Sequence, residues 1–205
     1  MDYKAREQDC IVSIAVEQGF TWEKLWHHAD NAELKRTRTS PNILAPGDIV
    51  HIPDKELRAE SCAAEQKHRF VKRNCLVKLR LRLLEEGKPR KGLKYDLHVD
   101  TLSFSGKTDG DGKLEHQIPA NASEARLVTA QDGFVLRLGG LQPVDRNTGV
   151  QQRLRNLGYF GGTIDSAPSE ELDAAIAAFQ KKLGLTANGT LSEQTLKRLV
   201  QSHGS

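Results

Sequence analysis

His27-His28 and Asp30 fall within four residues and bring together imidazole and carboxylate groups, the side chains that move protons or hold transition metals. The spacings HExxH and HxH are absent, and no serine or cysteine motif carries a local base. His28, two residues from Trp26, reads as a partly buried packing histidine on a second helix. Cys10, Cys62 and Cys75 are odd in number and form no CxxC pair, which argues against a zinc ribbon or disulfide framework and for thiols kept reduced. Asp109, Asp111 and Gly112 suggest a calcium loop. The twelfth residue counted from Asp109 is Ala120 rather than glutamate, so the EF-hand pattern fails and a turn is expected. The sequence therefore predicts no catalytic residue, no metal site and no cofactor.

The elements that position these residues are read from punctuation and period. Asn42 to Pro53 (NILAPGDIVHIP) places a Pro46-Gly47-Asp48 turn before a short strand in which Ile49, His51 and Pro53 alternate with Val50 and Ile52. Such a strand needs a partner, and Tyr3 to Arg6 can supply it. Between them Asp9 can cap a helix to Gln18, Gly19 can stop it, and Thr21 can cap a second helix with Trp22, Leu25, Trp26 and Ala29 on its apolar face.

Strand, helix, helix, strand over residues 1–53, with Asp9, Ser13-Ile14-Ala15, Gly19, Leu25, Asn31, Leu44, Pro46-Gly47 and Ile52-Pro53, resembles the LysM domain. The resemblance implies binding of N-acetylglucosamine-containing glycans such as peptidoglycan or chitin. It implies a groove between Gln8, Asp9, Cys10, Ile11 and Pro41, Asn42, Ile43, Leu44. Gln8-Asp9-Cys10 stands where that family usually reads Gly-Asp-Thr, and Ala32 to Ser40 is longer and more basic than usual.

Residues 54–68 are polar and rich in Ala, Glu and Lys, and read as a partly helical linker. From residue 69 to 141 the period changes to two. Val77, Leu79, Leu81 and Leu83 alternate with Lys78, Arg80 and Arg82, and further short strands follow between turn signals, predicting a small β-sandwich. The stretches EEGKPRKGLKYDLHVD and GKTDGDGKL resemble immunoglobulin-like or transthyretin-like spacer modules. The basic stripe lacks interleaved aromatics and reads as a solvated face.

Residues 142–205 return to helical spacing: Val150, Leu154 and Leu157; then Leu172, Ala175, Ile176, Phe179 and Leu183 behind a Ser169 cap; then Thr195, Leu196 and Leu199 behind Ser192. Gly158, Gly184 and Asn188-Gly189 separate three helices. Val150-Gln151, Leu157-Gly158-Tyr159, Phe179-Gln180 and Gly189-Thr190-Leu191 resemble the three-helix peptidoglycan-binding domain. That family's D-G-x-x-G-P-x-T turn is replaced by Asp165 to Leu172. Tyr159, Phe160 and Gln180 are the candidate ligand contacts.

The whole reads as a multidomain α+β chain of 205 residues: a LysM βααβ unit, an immunoglobulin-like β-sandwich and a three-helix domain. A formal net charge of +3 argues against a nucleic-acid partner, and no stretch approaches transmembrane length, so no membrane partner is expected. The N-terminus has no apolar signal region, which predicts a chain cytoplasmic as synthesised. The arrangement, including HHADNAELKRTRTSPNILAPGDIVHIP and the ending QSHGS, resembles small proteins accompanying bacterial type VI secretion, and implies a spike or effector partner and delivery to the periplasm or wall. The expectation is a non-catalytic peptidoglycan-binding protein. Two alternatives stand beside it: a protein-interaction scaffold whose modules have lost sugar binding, and a wall hydrolase, for which no sequence pattern speaks.

Overall fold

The computed structural model describes residues 1–56, 61, 63–69, 75–85 and 87–204. Cys62 and parts of the expected linker lie outside the described residues; the described part of that linker contains no helix. The chain forms two compact units, one of Met1, 12–28 and 51–139 and the other of 2–11, 29–50 and 140–205.

In the first unit, α1 (Ile11–Gln18) ends at Gly19, whose φ of +75° is open to a residue without a Cβ. Thr21 then caps α2 (Trp22–Trp26), its Oγ1 accepting from the Lys24 amide at 3.3 Å. The helix is only five residues long. His27 is its C-cap, so His28 and Asp30 lie beyond the helix on which they were expected. Ala29, expected on the apolar face, is exposed for the same reason.

Eight strands follow among the described residues of this unit. The run β3 (Leu76–Arg82) pairs with β8 (Lys113–Pro119), and β4 (Leu84–Glu85) pairs with β5 (Lys88–Pro89) around Gly87. The others, β6 (Lys94–Val99), β7 (Leu102–Lys107), β9 (Glu124–Thr129) and β10 (Gly133–Arg137), form an antiparallel sheet in the order β10-β9-β6-β7. Alternation is cleanest in β6, where Tyr95, Leu97 and Val99 point inward and Lys94, Asp96 and His98 outward. Leu114 and Ile118 of β8, Ala125 and Leu127 of β9 and the half-buried Val77, Leu79 and Leu81 of β3 join them in one apolar cluster. The β3–β8 pair and the four-stranded sheet thus contribute to one core.

The polar faces close locally. Lys78 and Arg80 converge on Glu115 at 2.9 and 2.8 Å, so two cations of the basic stripe are ion-paired. Asp109 accepts from the Asp111 and Lys113 amides, both at 2.8 Å, and so holds the Gly110–Gly112 turn.

In the second unit, β1 (Asp2–Lys4) pairs with β2 (Ile49–His51). Gly47, with φ +96°, donates to Ala5 O, and Ala5 donates to Asp48 O, both at 2.8 Å. The Ala32–Ser40 stretch, read as longer and more basic than usual, begins with α3 (Ala32–Thr37), which continues the 3-10 turn Ala29–Asn31. Leu34 faces inward there while Glu33, Lys35 and Arg36 remain exposed, which is amphipathic spacing on a helix too short for periodicity to reveal.

The C-terminal part of this unit holds α4 (Asn147–Asn156), α5 (Glu170–Lys182) and α6 (Glu193–His203). Ser169 and Ser192 cap α5 and α6 through the Leu172 and Thr195 amides, both at 3.1 Å. Val150, Leu154, Phe160, Leu172, Ala175, Ile176, Phe179 and Leu199 make its core. Leu183 is an exception to the expected face: it is the C-cap of α5 and 38% exposed.

Candidate functional site

Two glycines after α4 and two small residues on α5 leave a groove of about 470 Å³. Tyr159, Phe160, Gly161 and Gly162 form one wall, and Glu171, Ala174 and Ala178 the other. Tyr159 is half-buried and packs edge-to-face on Phe179, with ring centroids 5.5 Å apart. Phe160 is 6% exposed, so it is chiefly core and presents only an edge to the groove. Arg155 lies 6.0 Å from the Phe160 centroid and donates to Gly162 O, fixing the glycine wall. The groove thus offers an aromatic flank, a wall of small residues and one carboxylate, Glu171.

Tyr159 and Phe160 were expected contacts and do line the groove. Gln180 does not. It is 2% exposed, donates from Nε2 to Asn188 Oδ1, Thr190 O and Thr195 Oγ1, and accepts at Oε1 from the Asn188 and Gly189 amides. Those five bonds hold the turn between α5 and α6, so Gln180 is structural. Gly161, Gly162, Glu171, Ala174 and Ala178 were missed. The signal was present in the small residues at i, i+4 on α5, which put an indentation on a helix face.

The turn that replaces D-G-x-x-G-P-x-T is also built from inside. Gln151, 1% exposed, accepts from the Asp165 amide at 2.9 Å, and Asp165 Oδ1 accepts from the Ala167 amide at 3.0 Å. Below it the buried Arg153 donates to Gln142 O at 2.7 Å and Gly149 O at 2.9 Å, and burial lowers its pKa to about 10. His203, facing Arg153, is pushed down to about 4 by burial and by that charge, and Asn156 Nδ2 lies 3.0 Å from its Nε2.

The N-terminal candidates separate into two groups. Ile11 donates to Pro41 O at 2.8 Å, which brings the two expected loops together. Yet Ile11, Ile43 and Leu44 are 0%, 9% and 2% exposed, so these three are core and not glycan contacts. Gln8 and Asn42 are exposed, and Asp9 and Cys10 are half-buried. Helix α1 starts at Ile11, which puts Cys10 and not Asp9 next to its first residue. Asp9 Oδ2 accepts from the Arg6 amide at 2.7 Å and the Tyr3 hydroxyl at 3.0 Å, fastening the loop to β1. A second groove, of about 330 Å³, lies elsewhere, lined by Gly19, Phe20, Thr21, Lys24, Lys55 and Glu56.

Residues 148–199 match the family described as putative peptidoglycan binding domain. The chain is also similar to the localization factor PodJL of Caulobacter vibrioides, in strains NA1000 / CB15N and ATCC 19089 / CIP 103742 / CB 15. Each is 46% identical over 54 residues, which is 26% of this chain and 6% of the relative. The match therefore spans a small fraction of those relatives. No solved structure matches the chain. Among the described residues no helix is long and apolar enough to cross a membrane.

Proposed function

We propose that the chain is a non-catalytic peptidoglycan-binding protein that meets the wall through the groove between Tyr159–Gly162 and α5. The match of residues 148–199 to a peptidoglycan-binding family carries this reading, because those residues also build the groove. Tyr159 offers a ring face to a sugar or an aliphatic stem, and Glu171 a hydrogen-bond acceptor. The N-terminal βααβ arrangement serves as a second, LysM-like module, with Gln8, Asp9, Cys10 and Asn42 as its remaining glycan contacts. Two weak modules on one repetitive polymer strengthen each other through effective concentration. Association with a type VI secretion machine, and delivery from the cytoplasm by it, rest on resemblance of the whole arrangement alone.

A second reading is a protein-interaction scaffold. The similarity of one segment to a localization factor favours it.

Co-sedimentation with purified sacculi separates the two. Binding by the full chain that weakens on Tyr159→Ala supports the first reading. A folded chain that stays in the supernatant supports the second.

A further inference from the structure

Among the described residues, Glu171 is the one charged side chain that lines the groove between Tyr159–Gly162 and α5. It stands in the first turn of α5 beside Glu170, where the helix dipole favours an acidic residue at any position. The dipole does not account for where this carboxylate goes. A methyl group on Gly162 would be driven into Glu171 Oε2 and, at 2.8 Å, into Cζ of the Phe160 ring. The carboxylate and the ring edge therefore share the notch that the missing side chain leaves open. The Glu171 carboxylate makes no ion pair among the described residues. Arg155, on the glycine wall, is engaged by Gly162 O and does not line the groove.

We propose that this groove recognises a primary ammonium group, and that its wall ligand is a stem peptide whose diamino acid carries a free side-chain amine. The inference rests on the wall-binding reading above and decides, within it, between peptide and glycan. Glycan strands offer hydroxyls, N-acetyl amides and carboxyl groups, none of them cationic, and Glu171 repels the last. An ammonium group presents three donors and meets Glu171 in a charge-assisted hydrogen bond. The apolar edge of Phe160 beside that pair lowers the local dielectric and strengthens it. The methylenes behind the amine lie against Tyr159 and the Ala174 and Ala178 side of α5. Cross-linking acylates the same amine and removes its charge, so the groove distinguishes open stems from cross-linked ones.

The test uses the full chain. Nuclear magnetic resonance titration with N-acetyl-L-Ala-γ-D-Glu-L-Lys, whose one amine is the lysine side chain, is expected to shift the Gly161 and Gly162 amides. The Nε-acetylated form of that peptide is expected to bind on the order of tenfold more weakly, the size of one lost charge-assisted bond. Glu171→Gln keeps the shape of the side chain and removes its charge. This variant is expected to bind both peptides alike at the weaker level, and far-UV circular dichroism checks that it folds. Equal binding of the two peptides by the wild-type chain, no shift with either, or a preference that survives in Glu171→Gln would each overturn the inference. Sacculus co-sedimentation is read in parallel. If it persists and weakens on Tyr159→Ala while the peptides bind alike, the wall-binding reading stands and ammonium recognition alone has failed. If the folded chain stays in the supernatant, the wall-binding reading has failed, and the stem-peptide ligand with it.

Discussion

Arg38 grips Asp48 with two hydrogen bonds, Nε to Oδ2 at 2.8 Å and Nη2 to Oδ1 at 3.0 Å. The side chains are 12% and 14% exposed, so this is a largely desolvated pair rather than a surface one. The same Oδ2 accepts from the Ala45 amide at 2.8 Å and so holds the Pro46-Gly47 turn that leads into β2. Burial alone would raise the Asp48 pKa. The bonds from Arg38 and Ala45 outweigh it and hold the carboxyl below the usual carboxylate range.

Arg38→Met leaves that carboxylate buried without its cation, at an expected cost of about 2–3 kcal/mol. Because the folded pKa of Asp48 is depressed, its contribution is complete above the unfolded value near pH 4 and is lost as pH falls through the folded value. Urea midpoints from pH 6 down to pH 2.5 are expected to show an acid-dependent component in the wild-type chain that the variant lacks.

Gly149 lies in the first turn of α4, against the backbone of the preceding segment. A methyl group there would be driven into the carbonyl oxygens of Pro143 and Gln142. Alanine gains about 1 kcal/mol of helix propensity over glycine, but overpacking against backbone costs more. Gly149→Ala is expected to destabilise the C-terminal helices by roughly 1–3 kcal/mol in chemical denaturation. A neutral or stabilising result would refute the close approach.

His203 adds a pH dependence of its own. Its folded pKa of about 4 lies below the unfolded value near 6.5, so the unfolded chain takes up a proton first as pH falls. Stability from this residue is fully present above pH 6.5 and declines between pH 6.5 and 4. With allowance for solvent screening of a partly exposed ring, the loss is about 1–2 kcal/mol. His203→Gln is expected to flatten that part of the profile in urea titrations at pH 7.5, 5.5 and 4.5.

Ala174 is exposed on the α5 wall of the groove. Arginine is nearly as good a helix former as alanine, so Ala174→Arg is expected to change stability by less than about 0.5 kcal/mol while filling the groove. Lost sacculus binding with an unchanged thermal midpoint would place the ligand there. Retained binding would move it elsewhere.

What the sequence revealed was what is decided locally. Thr21, Ser169 and Ser192 cap because a hydroxyl one position before a helix meets its own N-terminal amides, and Gly19, Gly158 and Gly184 adopt positive φ where the helices stop. The β6 alternation was equally legible, since period two leaves only one face for Tyr95, Leu97 and Val99. Residues whose roles depend on distant partners were not. Ile43 and Leu44 sit in loop-like sequence and Ile11 opens α1, yet all three are buried, and Gln180 has a ligand-like amide spent on a turn eight to fifteen residues away. The groove itself was hidden because it is made by small side chains, Gly161, Gly162, Ala174 and Ala178, which carry no chemistry of their own.

The Gln180 amide has a consequence for chemical ageing. Three of its five bonds leave from the nitrogen and two arrive at the oxygen. Deamidation exchanges that nitrogen for oxygen with almost no change of shape, keeps the two accepted bonds and abolishes the three donated ones. It would also set a buried negative charge against Thr190 O. A modification adding about one mass unit would therefore open the α5–α6 turn, and old preparations could lose the module's fold while every bulky side chain remained intact.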